Sequence, residues 1–118
     1  MVLSCGASAA AATPYPVTLQ FIGYPSIVTV GDWTFLNVTG SSEFFNLDVV
    51  IFAVWKGANG GTIVAVETGA ASVAQGQTAN FYVPVFDVGA GSYLVTYFGV
   101  TVNNVPVTLA LQVQVTLG

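Results

Sequence analysis

Charge is what this sequence has least of. Only 5% of its 118 residues are charged, and histidine is absent. The charged residues are one lysine and five acids: Lys56, Asp32, Glu43, Asp48, Glu67 and Asp87. A soluble monomer usually carries charge on about a quarter of its residues. Because so little charge is available, much of the surface has to be neutral, glycosylated or buried against another molecule.

These shortages exclude several classes of function. Without histidine, Ser-His-Asp and Cys-His catalysis and a histidine general base are excluded. A single basic side chain excludes nucleic acid as a partner, since phosphate binding needs a cluster of Lys or Arg. No glycine-rich phosphate loop with a lysine is present, and the acidic residues lack the Asp-x-Asp spacing of a calcium loop. We therefore predict a protein that is not an enzyme and has no cofactor or metal.

The chain has one cysteine and no long apolar run. Cys5 alone excludes an internal disulfide and is interpreted as a spectator thiol. No run approaches the ~20 apolar residues of a membrane-spanning helix.

An uncharged, low-complexity stretch opens the chain and is followed by Pro14-Tyr15-Pro16, a stiff and extended hinge. We predict that residues 1–14 form an N-terminal tail and that residues 15–118 form one domain. The tail is interpreted as a strand that is added to a neighbouring subunit; the alternative is that it adds to its own domain.

Hydrophobic residues make up 54% of the chain and alternate with polar residues at a period of two. The strands predicted from this pattern are 17–22, 26–30, 33–39, 46–56, 62–68, 77–86, 92–100 and 105–117. The last is predicted to be long and unbroken, and residues 69–76 are predicted to be a connection. Strands at turn intervals of about ten residues indicate an all-β fold, a sandwich of two antiparallel sheets.

Two of these strands are apolar on both faces. In strand 46–56 the two faces carry Val49, Ile51, Ala53 and Trp55 against Val50, Phe52 and Val54, and in strand 92–100 they carry Tyr93, Val95 and Tyr97 against Leu94 and Phe98. One face belongs to the core, so the other has to meet a partner. With the start of the tail, this gives the predicted subunit-interface residues: Met1, Val2, Leu3, Val50, Phe52, Val54, Leu94 and Phe98.

Two short motifs resemble bacterial and archaeal immunoglobulin-like domains. Val28-Thr29-Val30-Gly31-Asp32, followed by a variable strand, resembles their opening, and Gly91-Ser92-Tyr93 resembles the start of their strand F. The resemblance covers about residues 17–117. It implies an immunoglobulin-like antiparallel β-sandwich of about seven to eight strands with an extended N-terminal segment. It also implies that the Tyr93 hydroxyl bonds back to the preceding corner and that strands 46–56 and 92–100 are neighbours.

In composition and size the chain is similar to subunits of archaeal extracellular threads, bundling pili and filaments of archaeal virions. In such fibres a terminal strand of one subunit completes a sheet of the next. This resemblance implies a structural subunit of an extracellular or virion filament. It would polymerise with copies of itself by strand exchange and by stacking of apolar sheet faces.

Two other functions are also compatible with this sequence. A virion capsid or coat protein would use the same faces in a closed lattice. A carbohydrate-binding or adhesive module would use an aromatic platform of Trp33, Phe35, Tyr82 and Tyr97, with Trp33 and Trp55 as the residues to replace in a test. In addition, Asn37-Val38-Thr39 is an N-glycosylation sequon, and a glycan on Asn37 would hydrate the surface.

Overall fold

The computed structural model describes residues 17–59 and 61–118. These residues form strands and no helix, and therefore no helix that could cross a membrane. The strands are β1 (Gln20–Phe21), β2 (Ser26–Val30), β3 (Trp33–Ser42), β4 (Leu47–Gly57), β5 (Ile63–Val73), β6 (Gln77–Pro84), β7 (Gly91–Thr101) and β8 (Leu111–Leu117). The predicted tail lies outside the described residues.

The strands form two antiparallel sheets packed face to face. In the first sheet β3 is central: β6 pairs along one side of it, and β1 and β2 follow one another along the other. The second sheet has the order β5-β4-β7-β8. This arrangement confirms the predicted fold class, an immunoglobulin-like β-sandwich, and it confirms that the two doubly apolar strands, β4 and β7, are neighbours.

The core lies between the sheets and is built by alternate residues of each strand. Trp55, Phe81 and Leu36 are fully buried in it. The Trp55 indole, near the end of β4, packs edge-to-face on Tyr93 with ring centroids 5.6 Å apart. Burial of each such large apolar side chain stabilises the fold by about 1.5–3 kcal/mol, so the period-two pattern of the sequence is also the pattern that holds the sheets together.

The prediction of one long strand over residues 105–117 is wrong in its first half. Strand β8 begins only at Leu111, and Pro106 forms no more than an isolated bridge to β7. Proline has no N–H to donate to a ladder. Beyond it, the buried hydroxyl of Thr108 accepts a hydrogen bond of 2.8 Å from the backbone N–H of Gly99. The Thr108 hydroxyl therefore accepts the hydrogen bond that a backbone carbonyl would accept in a regular strand.

Residues 69–76 were predicted to be a connection, but β5 continues through them as far as Val73. The small residues of this segment do not form a loop; Gly69 among them allows two strands to approach closely. A Cβ atom at Gly69 would lie 2.4 Å from the carbonyl oxygen of Tyr82 in β6. Glycine thus allows β5 to lie against β6 and closes this side of the sandwich.

The predicted corner at Tyr93 is confirmed, because its hydroxyl donates a hydrogen bond of 2.8 Å to the carbonyl oxygen of Gly89. This bond ties the start of β7 to the loop before it. The sequence resemblance therefore identified a real contact as well as a fold class.

Replacing Tyr93 with phenylalanine is expected to lower the free energy of unfolding by about 1 kcal/mol, since one intramolecular hydrogen bond is lost. Denaturant unfolding of dispersed protein measures this. Tyr82→Phe is the matched control, because the hydroxyl of Tyr82 bonds to none of the described residues and its side chain is exposed. Equal losses in the two variants would contradict a specific role for the corner.

Candidate assembly surfaces

The outer face of the second sheet carries a continuous group of apolar side chains. Val50, Phe52 and Val54 project from β4, and Leu94 and Phe98 project from β7. Phe52 and Phe98 are paired across the two strands, with their rings stacked 5.3 Å apart and only 3° from parallel. The structure thus brings together all five of the predicted interface residues that it describes. We call this surface the apolar face.

The apolar face continues onto β5 and is charged only near its ends, and Thr96 of β7 lies within it, opposite Val54. Val66, which is 57% exposed, lies opposite Val54. The two charged residues of this face, Asp48 and Lys56, lie near opposite ends of β4, and the Asp48 carboxylate accepts a hydrogen bond of 2.6 Å from the Ser72 hydroxyl. The middle of the sheet therefore offers an uncharged surface with nothing in the described residues to cover it.

The first sheet carries a different surface on its outer face, an aromatic patch of Trp33, Phe35, Tyr82 and Phe86. Trp33 packs edge-to-face on Phe86 at 5.6 Å, and Phe35 packs in the same way on Tyr82 at 6.0 Å. About half of the Trp33, Tyr82 and Phe86 side chains is exposed. Three of the four residues of the predicted platform therefore do lie on one open face.

The fourth platform residue, Tyr97, was predicted wrongly. Its side chain points into the core, where it is 2% exposed and packs against Phe21 at 5.0 Å. Trp55, proposed as a residue to test for glycan contact, is fully buried and has no surface to offer a sugar. The alternation of side chains along a strand assigns them to two faces, but it does not determine which face points into the core.

The sequon residue Asn37 lies in the central strand of the first sheet, between Ser26 of β2 and Tyr82 of β6. Its side chain is half-buried, and its Oδ1 atom has no hydrogen-bond partner among the described residues. The Thr39 hydroxyl of the same sequon donates to Asn80 Oδ1 at 2.8 Å. A glycan on Asn37 stays a prediction. The other predicted residues, Met1, Val2 and Leu3, lie outside the described residues.

Sequence comparison does not assign the chain to a family. No protein-family model matches it, and no curated protein is similar to it in sequence. The strand order and the Tyr93 corner describe a fold that hosts many functions. The function therefore has to be argued from the surfaces themselves.

Sequence reasoning missed one polar group, the buried carboxyl of Glu67 in β5. The backbone N–H of Phe86 donates a hydrogen bond to its Oε2 atom, which links β5 to the segment after β6. Burial raises the pKa of Glu67, and the negative charge of Asp87 adds to this effect. The Phe86 N–H and the Trp55 indole act in the opposite direction, although the indole and the carboxyl do not form a hydrogen bond of normal geometry.

In the part of the chain that the structure describes, Glu67 belongs to no group of three acidic, cysteine or histidine side chains. Its place between the sheets gives it a structural role. In the alternating pattern of β5, Glu67 falls on the same inner face as Ala65. This alternation is the one feature of the sequence that could have revealed the buried carboxyl.

Replacing Glu67 with glutamine is expected to flatten the pH dependence of stability. Because the pKa of Glu67 is higher in the folded than in the unfolded protein, the folded state holds the proton more tightly. The free energy of unfolding therefore falls as pH rises from the unfolded pKa, about 4.3, to the raised folded value, and then levels off. Denaturant unfolding across this range measures the slope.

The exposed Glu43→Gln variant is the matched control, since it removes the same charge from the surface. If Glu67→Gln keeps the slope of the unmodified protein, the buried carboxyl is not its source.

Proposed function

We propose that this protein is a structural subunit that assembles with copies of itself into an extracellular filament, a pilus-like thread or a virion fibre. The observation that carries the proposal is the apolar face, with the stacked pair Phe52 and Phe98 at its centre and no charge inside it. Large uncharged surfaces of this kind mark sites of protein–protein contact. The scarcity of charge in the whole chain supports the same conclusion.

The size of the sheet is sufficient for a stable contact. Four strands about 4.8 Å apart and about ten residues long present a face of about 600 Å². A contact in which this face meets a partner surface of equal size buries about 1,200 Å², which exceeds the roughly 1,000 Å² that a specific interface needs. Stacking of subunits through this sheet therefore accounts for much of the assembly energy.

The sandwich has two unlike surfaces on opposite sides, the apolar face and the aromatic patch. A contact between unlike surfaces is heterologous, and it generates an open filament unless its rotation closes a ring. In the proposed assembly, residues 1–14 also add a strand to a neighbouring subunit. Fibres that resemble this chain in composition occur outside cells, which is why we propose a cell-surface or virion location.

Two alternatives use the same surfaces. A virion coat protein would pack through them in a closed lattice, which electron microscopy distinguishes from a filament. A carbohydrate-binding or adhesive module is favoured by the exposed ring of Trp33 within the aromatic patch. Glycan-array binding by dispersed protein, lost in Trp33→Ala, would support this module.

Deleting residues 1–13 is expected to leave a folded domain that no longer forms filaments, because the strand that joins neighbours is removed. Negative-stain electron microscopy measures assembly, and circular dichroism confirms that the sheets are intact. The control replaces Ala9 to Ala12 with serines, which keeps the length and the lack of charge. Normal filaments from the deleted chain would contradict strand exchange.

A further inference from the structure

Three of the four edges of the sandwich are protected against pairing with another strand. Strands β5 and β6 lie against each other, with the backbone of β6 in contact at Gly69 and the Glu67 carboxyl bound to Phe86. The edge formed by β1 and β2 is interrupted by a turn that contains Gly23 and Pro25. Interruptions, prolines and covering strands are the usual means by which proteins prevent edge-to-edge association.

The fourth edge, β8, has none of these protections. Its seven residues, Leu111–Leu117, contain no charge, no proline and no bulge, and within residues 17–59 and 61–118 the strand β8 pairs only with β7. Among the described residues, β8 does not come as close to β1 or β2 as β5 comes to β6. An uncharged edge of this length, without proline or bulge, is a template for a further strand.

An apolar groove lies beside this free edge. It has a volume of about 190 Å³ and runs between β1 and the start of β8, lined chiefly by Val17, Leu19, Phe21, Leu109 and Leu111. Leu109 and Leu111 are 52% and 41% exposed. Apolar side chains at the start of β8 and just before it are thus left partly uncovered at this end of the sandwich. An added strand would both pair with the edge and fill the groove.

We infer that β8 is the acceptor edge, onto which residues 1–14 of a neighbouring subunit add as a further strand and place apolar side chains in the groove. The inference rests on the proposed function and names the partner of its strand exchange. The donor segment is uncharged and includes Met1, Val2 and Leu3. Fourteen extended residues span up to about 50 Å, more than the ~23 Å length of β8.

The direction of the chain favours a neighbour over the subunit's own tail. Val17 lines the groove at the start of β8, whereas Ile27 lines a second cavity with Leu117 at its end, so β1 and β2 run in the same direction as β8. The described chain therefore begins beside the start of β8 and leads along it in the same direction. To cover β8 of their own subunit, residues 1–14 would have to reverse within Pro14-Tyr15-Pro16, where the prolines favour an extended chain.

The native Cys5 provides a direct test, since it lies in the donor segment and is the only cysteine. Gln112→Cys, Gln114→Cys and Thr116→Cys each place one thiol on the outward-facing side of β8. A disulfide requires Cα atoms within about 7 Å, so filaments formed under mild oxidation should link Cys5 to at least one of these positions. Each subunit then carries one donor and one acceptor thiol, and denaturing gels should show a ladder of dimers, trimers and longer chains.

Two controls accompany the cross-linking. Thr78→Cys places a thiol on the outward-facing side of β6, where no ladder is expected, and Cys5→Ser combined with Gln114→Cys should remove the ladder. Hydrogen exchange adds a measurement that does not depend on register. Backbone amides of β8 should exchange at least about 100-fold more slowly in filaments of the full chain than in dispersed full chain.

The outcomes separate this inference from the proposed function. A fast-migrating cross-linked monomer would show that the tail covers its own subunit and would overturn the inference. Filaments with neither a β8 ladder nor β8 protection would also overturn it while leaving the filament proposal intact. Absence of both filaments and cross-links would reject both.

Discussion

Gly69→Ala is expected to destabilise the protein by about 3 kcal/mol or more, at the upper end of what overpacking costs. The added Cβ atom would lie 2.4 Å from the Tyr82 carbonyl oxygen, 2.9 Å from its carbon and 3.0 Å from the Val83 Cα. These are backbone atoms, so no side-chain rotation can relieve the contact. Strands β5 and β6 would have to move apart, which also disturbs the hydrogen bond between Glu67 and Phe86.

Denaturant unfolding of dispersed protein measures this loss. Gly57→Ala is the matched control: a Cβ there meets nothing within 4 Å, and Gly57 is not among the glycines with a positive φ angle. We expect little change in that variant. If the two alanine variants unfolded at the same denaturant concentration, β5 and β6 would not depend on the close approach at Gly69.

The parts of the fold that the sequence predicts well are those in which one strong pattern acts alone. Strand β4 has apolar residues at every position from Val49 to Trp55, and β7 is apolar on both faces from Tyr93 to Phe98 apart from Thr96. Both strands were therefore expected to meet a partner on their outer face. Their pairing in register, with Phe52 opposite Phe98, follows the expected immunoglobulin-like order. The five apolar-face residues could therefore be named from the sequence.

The errors arise where tertiary contacts override the local pattern. Thr108 alternates correctly for a strand, but its hydroxyl bonds to the backbone of Gly99, and regular pairing begins only later. Gly69 suggests a loop by composition, while its function is to admit the backbone of β6. In both cases the deciding partner lies on another strand, so the alternation within one strand could not have revealed it.

Phe52→Lys is expected to raise the critical concentration for assembly at least about 100-fold, which corresponds to about 2.7 kcal/mol per subunit. The substitution places an ammonium group at the centre of the apolar face. Asp48, the only acid of this face, lies near one end of β4 and is already bound by Ser72. Stacking would bury the new charge without a partner, and this costs more than the contact gains. Sedimentation of assembled material against total concentration measures the change.

Two further variants separate the charge from other effects of the substitution. Asn103→Lys adds the same charge at an exposed position between β7 and β8, and we expect assembly close to normal. Phe52→Leu keeps the face apolar but removes the ring stacked on Phe98, so it should assemble at only moderately higher concentration. If folded Phe52→Lys protein polymerised at the normal concentration, the apolar face would be open to solvent in the filament. Strand exchange at the sheet edge would then have to hold the subunits together without it.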